Sequence, residues 1–412
     1  MADAGIIKWL RWGFFNLVIV ALYGFLMRYK IAFSFPFFEQ KNLLHAHSHF
    51  AFSGWISQML YTGFALFLSP YLPQFKQKKY KVLLAFNLLS AFGMLAAFTI
   101  QGYKAVSIAF STFSIVIAII YAIVFIKDSK RLPVSHPSKP WAIAGLLLNI
   151  LSSAGPFSLA YMMASKNINH DIYLGSVYFY LHFQYNGWFL FGCIALVAAY
   201  LPKNIFPLKK YFILFSATVI PTFFLSILWS KLPVWLYSLT VAATFVQLFC
   251  WVSLLLKLWK HYRLHSPDTL PHWVKLLFYI SAVALTIKFT LQTISVIPSL
   301  SQLVFGYRPV VIAYLHLVLL GVYSLFLTGY LFCQKIIRPT KAAKLASLGF
   351  LSGIALNELL LAVQGFTAFA YIPVPYINEM LLGAASILLC SAIGLAVIQM
   401  RQFSLPGHET NE

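Results

Sequence analysis

The chain has 412 residues, of which 61% are hydrophobic, 17% aromatic and only 9% charged, with a mean hydropathy of +0.81. A soluble chain of this length would carry roughly a quarter charged residues to cover its surface, so lipid rather than water is the solvent for most of it. This excludes a disordered chain, a disulfide scaffold and a secreted globule, and it makes the net charge of +21 a matter of topology rather than of nucleic-acid binding.

A membrane-crossing helix needs about 20 mostly apolar residues. Dividing the chain at its charged and Pro/Gly-rich breaks predicts about twelve such helices, at 10–28, 43–70, 82–102, 106–126, 141–163, 173–201, 211–230, 232–256, 273–296, 309–334, 345–371 and 377–400. The alternating pattern of a membrane barrel is not seen, so the expected fold is an all-α polytopic membrane protein. The first helix follows Lys8 and Arg11 as a signal peptide would, yet no small-residue cleavage site follows within 26–35, and it reads as uncleaved. The two segments flanking Lys231 admit an alternative reading as one re-entrant hairpin. Connections such as 127–140 and 257–272 are too short for a soluble domain.

The basic residues orient these helices. Of the 30 Lys and Arg, 22 fall on the face that holds the N-terminus and the even-to-odd loops, seven fall on the other, and Lys288 lies within a span. The positive-inside rule places both termini in the cytoplasm and the protein in the cytoplasmic (inner) membrane, its basic rim against anionic lipid. Cys193, Cys250, Cys333 and Cys390 stand singly in apolar spans and read as small packing residues.

An internal repeat is written in histidine. The second span carries HAHSHFAFSGW with His45, His47 and His49, the sixth carries YLHFQYNGW with His182, and the tenth carries AYLHLVLLGV with His316. His49, His182 and His316 recur at intervals that are equal to within one position, each close to a third of the chain, and each is followed at the fifth position by glycine: Gly54, Gly187 and Gly321. Three pseudo-symmetric four-helix units are therefore expected, at about 1–135, 136–270 and 271–412, with their histidines at similar depth in the outer half of the membrane. In a regular helix a glycine five residues on lies about 140° from the histidine, so its expected use is close helix approach on a neighbouring face.

An intramembrane histidine is costly unless partnered, and a neutral imidazole is a ready ligand for iron or copper. His45 and His49, four apart, share a helix face, whereas His47 points to the opposite side as a bystander. Lys288 and Glu358 are the buried base and acid, read as a structural pair or as snorkelling side chains, with Glu379 near a span end. Tyr180, Tyr185 and Asn186 beside His182 are candidates to contact a small diatomic gas or a heme propionate, and Gln184 is a further candidate site residue. Gln101 with Gly102 and Gln364 with Gly365 suggest a second repeat mark.

Twelve spans in three units, with histidines on the second, sixth and tenth, resemble the core subunit of the heme-copper oxidase superfamily. The LHAHSHF segment also resembles NnrS-type heme and copper membrane proteins. The oxidase resemblance implies a b-type heme held by His316 together with His49, or with His45 one turn away, and copper at His182. It also implies oxygen or nitric oxide reduction supplied by an electron donor. The chain departs from that pattern in three places. Residues 211–230 contain no histidine pair, His316 stands alone in its span, and Phe183, Gln184, Tyr185 and Asn186 do not reproduce the family's residues after the span-six histidine. With few acids in its spans, the expected protein does not pump protons, and the departures leave its heme-copper centre incomplete. One alternative is a copper or heme handling or sensing protein with copper at His45, His47 and His49; another is a solute transporter.

Overall fold

The computed structural model describes residues 4–201, 208–265, 270–300 and 308–404, which are helical with short turns and contain no strand. Helices are what lipid demands, because each backbone N–H and C=O finds its partner within the same segment. Among the described residues, ten helices are long and apolar enough to cross a membrane: Gly5–Ala32, Gln74–Gln101, Ala105–Arg131, Ser138–Ser165, Leu208–Ile227, Val234–Arg263, His272–Ile294, Pro309–Cys333, Lys341–Ala368 and Ile377–Gln402. The chain is a multi-pass integral membrane protein. Two further helical runs, 40–68 and 170–198, carry the HAHSH and YLHFQYNGW motifs and are less apolar. Just past the HAHSH histidines, which are themselves partly buried, 51–66 is buried without interruption, as is 182–193 within the second motif.

Three local departures from the expected spans have identifiable causes. The span expected at 141–163 is two helices, Ser138–Ser152 and Ala154–Ser165, with Pro156 in the first turn of the second. The span expected at 211–230 is α-helical over Leu208–Val219 and then tightens into a 3-10 helix over Pro221–Ile227, where proline has no N–H to donate. Gly102 ends the 74–101 helix at φ 65°, with Asn42 packed against its bare Cα, whereas Gln364 lies inside the 341–369 helix. The two Gln-Gly pairs therefore do not occupy equivalent places.

The fold comprises two compact units, one from Met1–Ile117, Leu270–Ser281 and Tyr323–Glu412, the other from Ala118–Thr269 and Ala282–Val322. In the first, the 377–404 helix packs against both the 12–32 and 341–369 helices, and 40–50 packs against 74–101. Phe14, Phe50, Trp55, Phe64 and Tyr80 form its buried core. Gly13 allows the tight approach there, since a methyl group at that position would stand 2.8 Å from Met59 Sδ. In the second, 138–152 packs along 183–198, 154–165 against 170–182, and 208–219 against 234–265. Its fully buried Trp141 is ringed by Phe191, Phe212 and Phe215, with centroids at 5.2, 5.4 and 5.9 Å.

Each helix bearing a repeat histidine changes its winding just past that residue. A π-helical turn covers Ala51–Ser57 after His49, Phe183–Phe189 after His182, and Leu317–Ser324 after His316. Such turns are rare and concentrate at functional sites. They correct the wide angular offset expected between histidine and glycine, because i→i+5 bonding winds the glycine back toward the histidine's side of the helix. The glycines are nonetheless points of close approach. The Gly54 carbonyl accepts from Asn16 Nδ2 at 2.5 Å, a methyl at Gly187 would stand 2.9 Å from Leu148 Cβ, and one at Gly321 would stand 3.2 Å from Ala284 Cβ.

Candidate functional site

In the first unit, the α-helical spacing of His45 and His49 does bring both onto one face. His49 lies flat on Phe98, with ring centroids 4.5 Å apart and planes 13° apart, and His45 stands edge-on to Tyr103 at 4.9 Å. The Tyr103 hydroxyl is 3.5 Å from His49 Nε2, at the limit of a hydrogen bond. His45 Nε2 is buried and has no hydrogen-bond partner, an orphaned atom of the kind that a ligand or an ordered water satisfies. His47 faces the 12–32 helix, its Cε1 3.5 Å from where a methyl at Gly24 would lie. The three histidines thus do not converge, and among the described residues no group of three His, Cys, Asp or Glu side chains is placed to hold a metal ion.

The π-helical turn beside this pair releases backbone carbonyls that buried amides capture. Asn87 Nδ2 donates to the Ser53 carbonyl at 3.1 Å and to Gln58 Oε1 at 2.8 Å, while Asn16 takes the Gly54 carbonyl. Ser53 Oγ donates back to the His49 carbonyl at 2.7 Å, and Trp55 Nε1 donates to Ser324 Oγ at 2.9 Å, at the end of the third π turn. Glu358, also in this unit, accepts from Asn357 Nδ2 at 3.1 Å.

In the second unit His182 is 1% exposed. Its Nε2 lies 2.8 Å from the Val219 carbonyl, which can only accept, so Nε2 carries the hydrogen and Nδ1 accepts from Asn186 Nδ2 at 3.0 Å. Both ring nitrogens are engaged, and this arrangement leaves no lone pair for copper. The Val219 carbonyl is open to the imidazole because the α-helix ends at that residue. Gln184 Nε2 donates to Asn149 Oδ1 and Ser152 Oγ at 2.7 and 2.8 Å, and the Tyr185 hydroxyl bonds with Tyr314 and Ser226. Gln184 and Tyr185 are therefore committed to protein partners, whereas Asn186 spends its Nδ2 on His182 and keeps a buried Oδ1 without a hydrogen-bond partner.

Lys288 is likewise 1% exposed and does not snorkel. Its ammonium donates to Gln292 Oε1 at 2.6 Å and sits 3.9 Å from the centre of the Phe289 ring. Gln292 Nε2 donates to Gln247 Oε1 at 3.0 Å, and Gln247 Nε2 approaches Thr222 Oγ1 at 3.4 Å. Every donor in this line points away from the lysine, so the amide dipoles align to solvate a positive charge. The partners found for Lys288 and Glu358 within their own units are the amides of Gln292 and Asn357.

His316 donates from Nδ1 to the Ile312 carbonyl at 2.8 Å. That bond fixes the tautomer whose lone pair is on Nε2, the form in which a neutral imidazole ligates a metal, and it holds the ring's orientation. Sequence reasoning passed over Phe98, Tyr103, Asn16, Asn87, Asn149, Gln247 and Gln292. A signal was present for two of them: Asn16 and Asn149 are separated by the same interval as His49 and His182. Compared with known proteins, the chain matches no family model and no curated protein.

Proposed function

We propose that this chain is a heme-binding membrane redox protein on the plan of the oxidase core subunits, non-pumping and without a complete heme-copper centre. The observation that carries the reading is the recurrence, at 49, 182 and 316, of a histidine followed by a π-helical turn with a glycine inside it. That recurrence supports three four-helix units within about twelve crossings, with the histidine helices of each unit as the ligand-bearing ones. The charge bias supports termini in the cytoplasm and residence in the cytoplasmic membrane.

The donor set fits a b-type heme and does not fit copper at His182. In the second unit His316, in its Nε2 tautomer, would be a candidate heme ligand, and in the first unit the orphaned Nε2 makes His45 at least as good a candidate as His49. A heme so held supplies one-electron transfer. The chain's own residues orient the imidazoles: the Ile312 carbonyl holds His316, and Phe98 and Tyr103 wall in His45 and His49. An electron donor and a diatomic gas are the partners this reading requires besides lipid.

The test is spectroscopic. Protein purified from heme-replete cells should show a Soret band, lost in His316→Ala and kept in His182→Ala. A colourless, iron-free protein overturns the reading.

A further inference from the structure

The second unit holds a cavity of about 410 Å³, and we propose that it binds an amphiphilic amine, with the ammonium group at Asp171 and the apolar body reaching in to Phe179 and Phe223. The walls come from the 154–165 and 170–182 helices and from the segment around the 221–227 turn. Asp171 stands in the first turn of the 170–182 helix and Phe179 eight residues on, so the cavity runs about 12 Å along that helix.

Its chemistry is graded along that length. At the rim the Asp171 carboxylate is exposed, and among the described residues it makes no ion pair. Deeper in, the hydroxyls are already spent: Ser176 Oγ donates to the Ile172 carbonyl at 2.7 Å and pairs with Ser158 Oγ at 2.9 Å. The Trp229 indole N–H is likewise taken, by the Ser226 carbonyl at 3.2 Å. At the end away from Asp171 along the helix, Phe179 and Phe223 pack edge to face with centroids 5.1 Å apart. What remains for a ligand is an apolar slot with one carboxylate at its mouth.

That pattern selects for one positive charge on an apolar body. No Lys, Arg or His lines the cavity, so the phosphate of an aminophospholipid would meet the carboxylate with no counter-charge. A simple amine fits and the phospholipid does not. The slot owes its width to Gly175, where an added methyl group would meet nothing within 4 Å. This inference is independent of the heme reading, and its test requires no heme.

The experiment is calorimetric titration of the full chain in a non-ionic maltoside with phenylbutylamine, phenylbutanol and phenylbutyrate. The amine should bind about two- to fivefold more tightly than the alcohol, the range expected of one exposed charge pair, with the carboxylate weakest of the three. Asp171→Asn should bring amine and alcohol to equal affinity, and Gly175→Leu should remove binding of both while leaving the thermal unfolding midpoint near that of the parent. Equal affinity of amine and alcohol in the parent chain overturns the proposal. So does undiminished binding in Gly175→Leu, or competition by phosphatidylethanolamine that displaces the amine.

Discussion

Removing Lys288 and removing its partner Gln292 should have very unequal consequences for stability. Lys288→Met deletes the charge from a residue that is 1% exposed and keeps most of the side-chain volume. It loses one charge-assisted hydrogen bond, about 1.5–3 kcal/mol, and a cation–π contact of about 1–2 kcal/mol. It also removes the cost of burying an ammonium, several kcal/mol. These terms nearly cancel, and the variant should lie within about 1 kcal/mol of the parent. Gln292→Leu instead leaves the ammonium buried without its acceptor and breaks the line to Gln247, which should cost about 3–5 kcal/mol. The double variant should recover most of that loss, with a coupling energy of about 2 kcal/mol or more. Unfolding in mixed maltoside and dodecyl sulfate micelles, run as a double-mutant cycle, measures all three. The reasoning is refuted if Lys288→Met is as damaging as Gln292→Leu, or if the double variant is simply additive.

Other outcomes follow from the same geometry. Gly187→Ala pushes a methyl to 2.9 Å from Leu148 Cβ and should cost about 1–3 kcal/mol, whereas Gly175→Ala, which meets nothing within 4 Å, should be neutral or slightly stabilising in the same unfolding assay. Asn16→Leu leaves the Gly54 carbonyl unpaired inside the first unit and should cost about 1–3 kcal/mol. His182→Ala should destabilise the protein by breaking two hydrogen bonds yet leave the copper content measured by mass spectrometry unchanged. A fall in copper content would restore His182 as a ligand.

The all-helical membrane fold was legible because lipid enforces it: a run of about 20 apolar residues has few alternatives. The pairing of His45 with His49, and the separation of His47, followed from α-helical spacing alone. The π-helical turns were not legible, since their widening depends on distant residues such as Asn16 and Asn87 capturing the released carbonyls, and nothing local to Ala51–Ser57 announces it. His182 shows the same limit at the candidate site. Its sequence context is that of a potential ligand, but its ring nitrogens are spent on Asn186 one turn along and on a carbonyl opened by a helix end at Val219, 37 residues away.

A π-helical turn amounts to one residue more than a regular helix needs, and each residue of an α-helix is worth about 100° of rotation. The histidine helices can therefore be regarded as two halves phased by a single inserted residue. Winding the same seven residues of 51–57 as regular α-helix would swing the His45 and His49 face by about 100° relative to the half that follows, either away from Phe98 and Tyr103 or at the expense of the packing around Gln58. At these three places the π turn does inside a buried helix what a loop does at the surface: it takes up one extra residue while the faces on either side keep their aim.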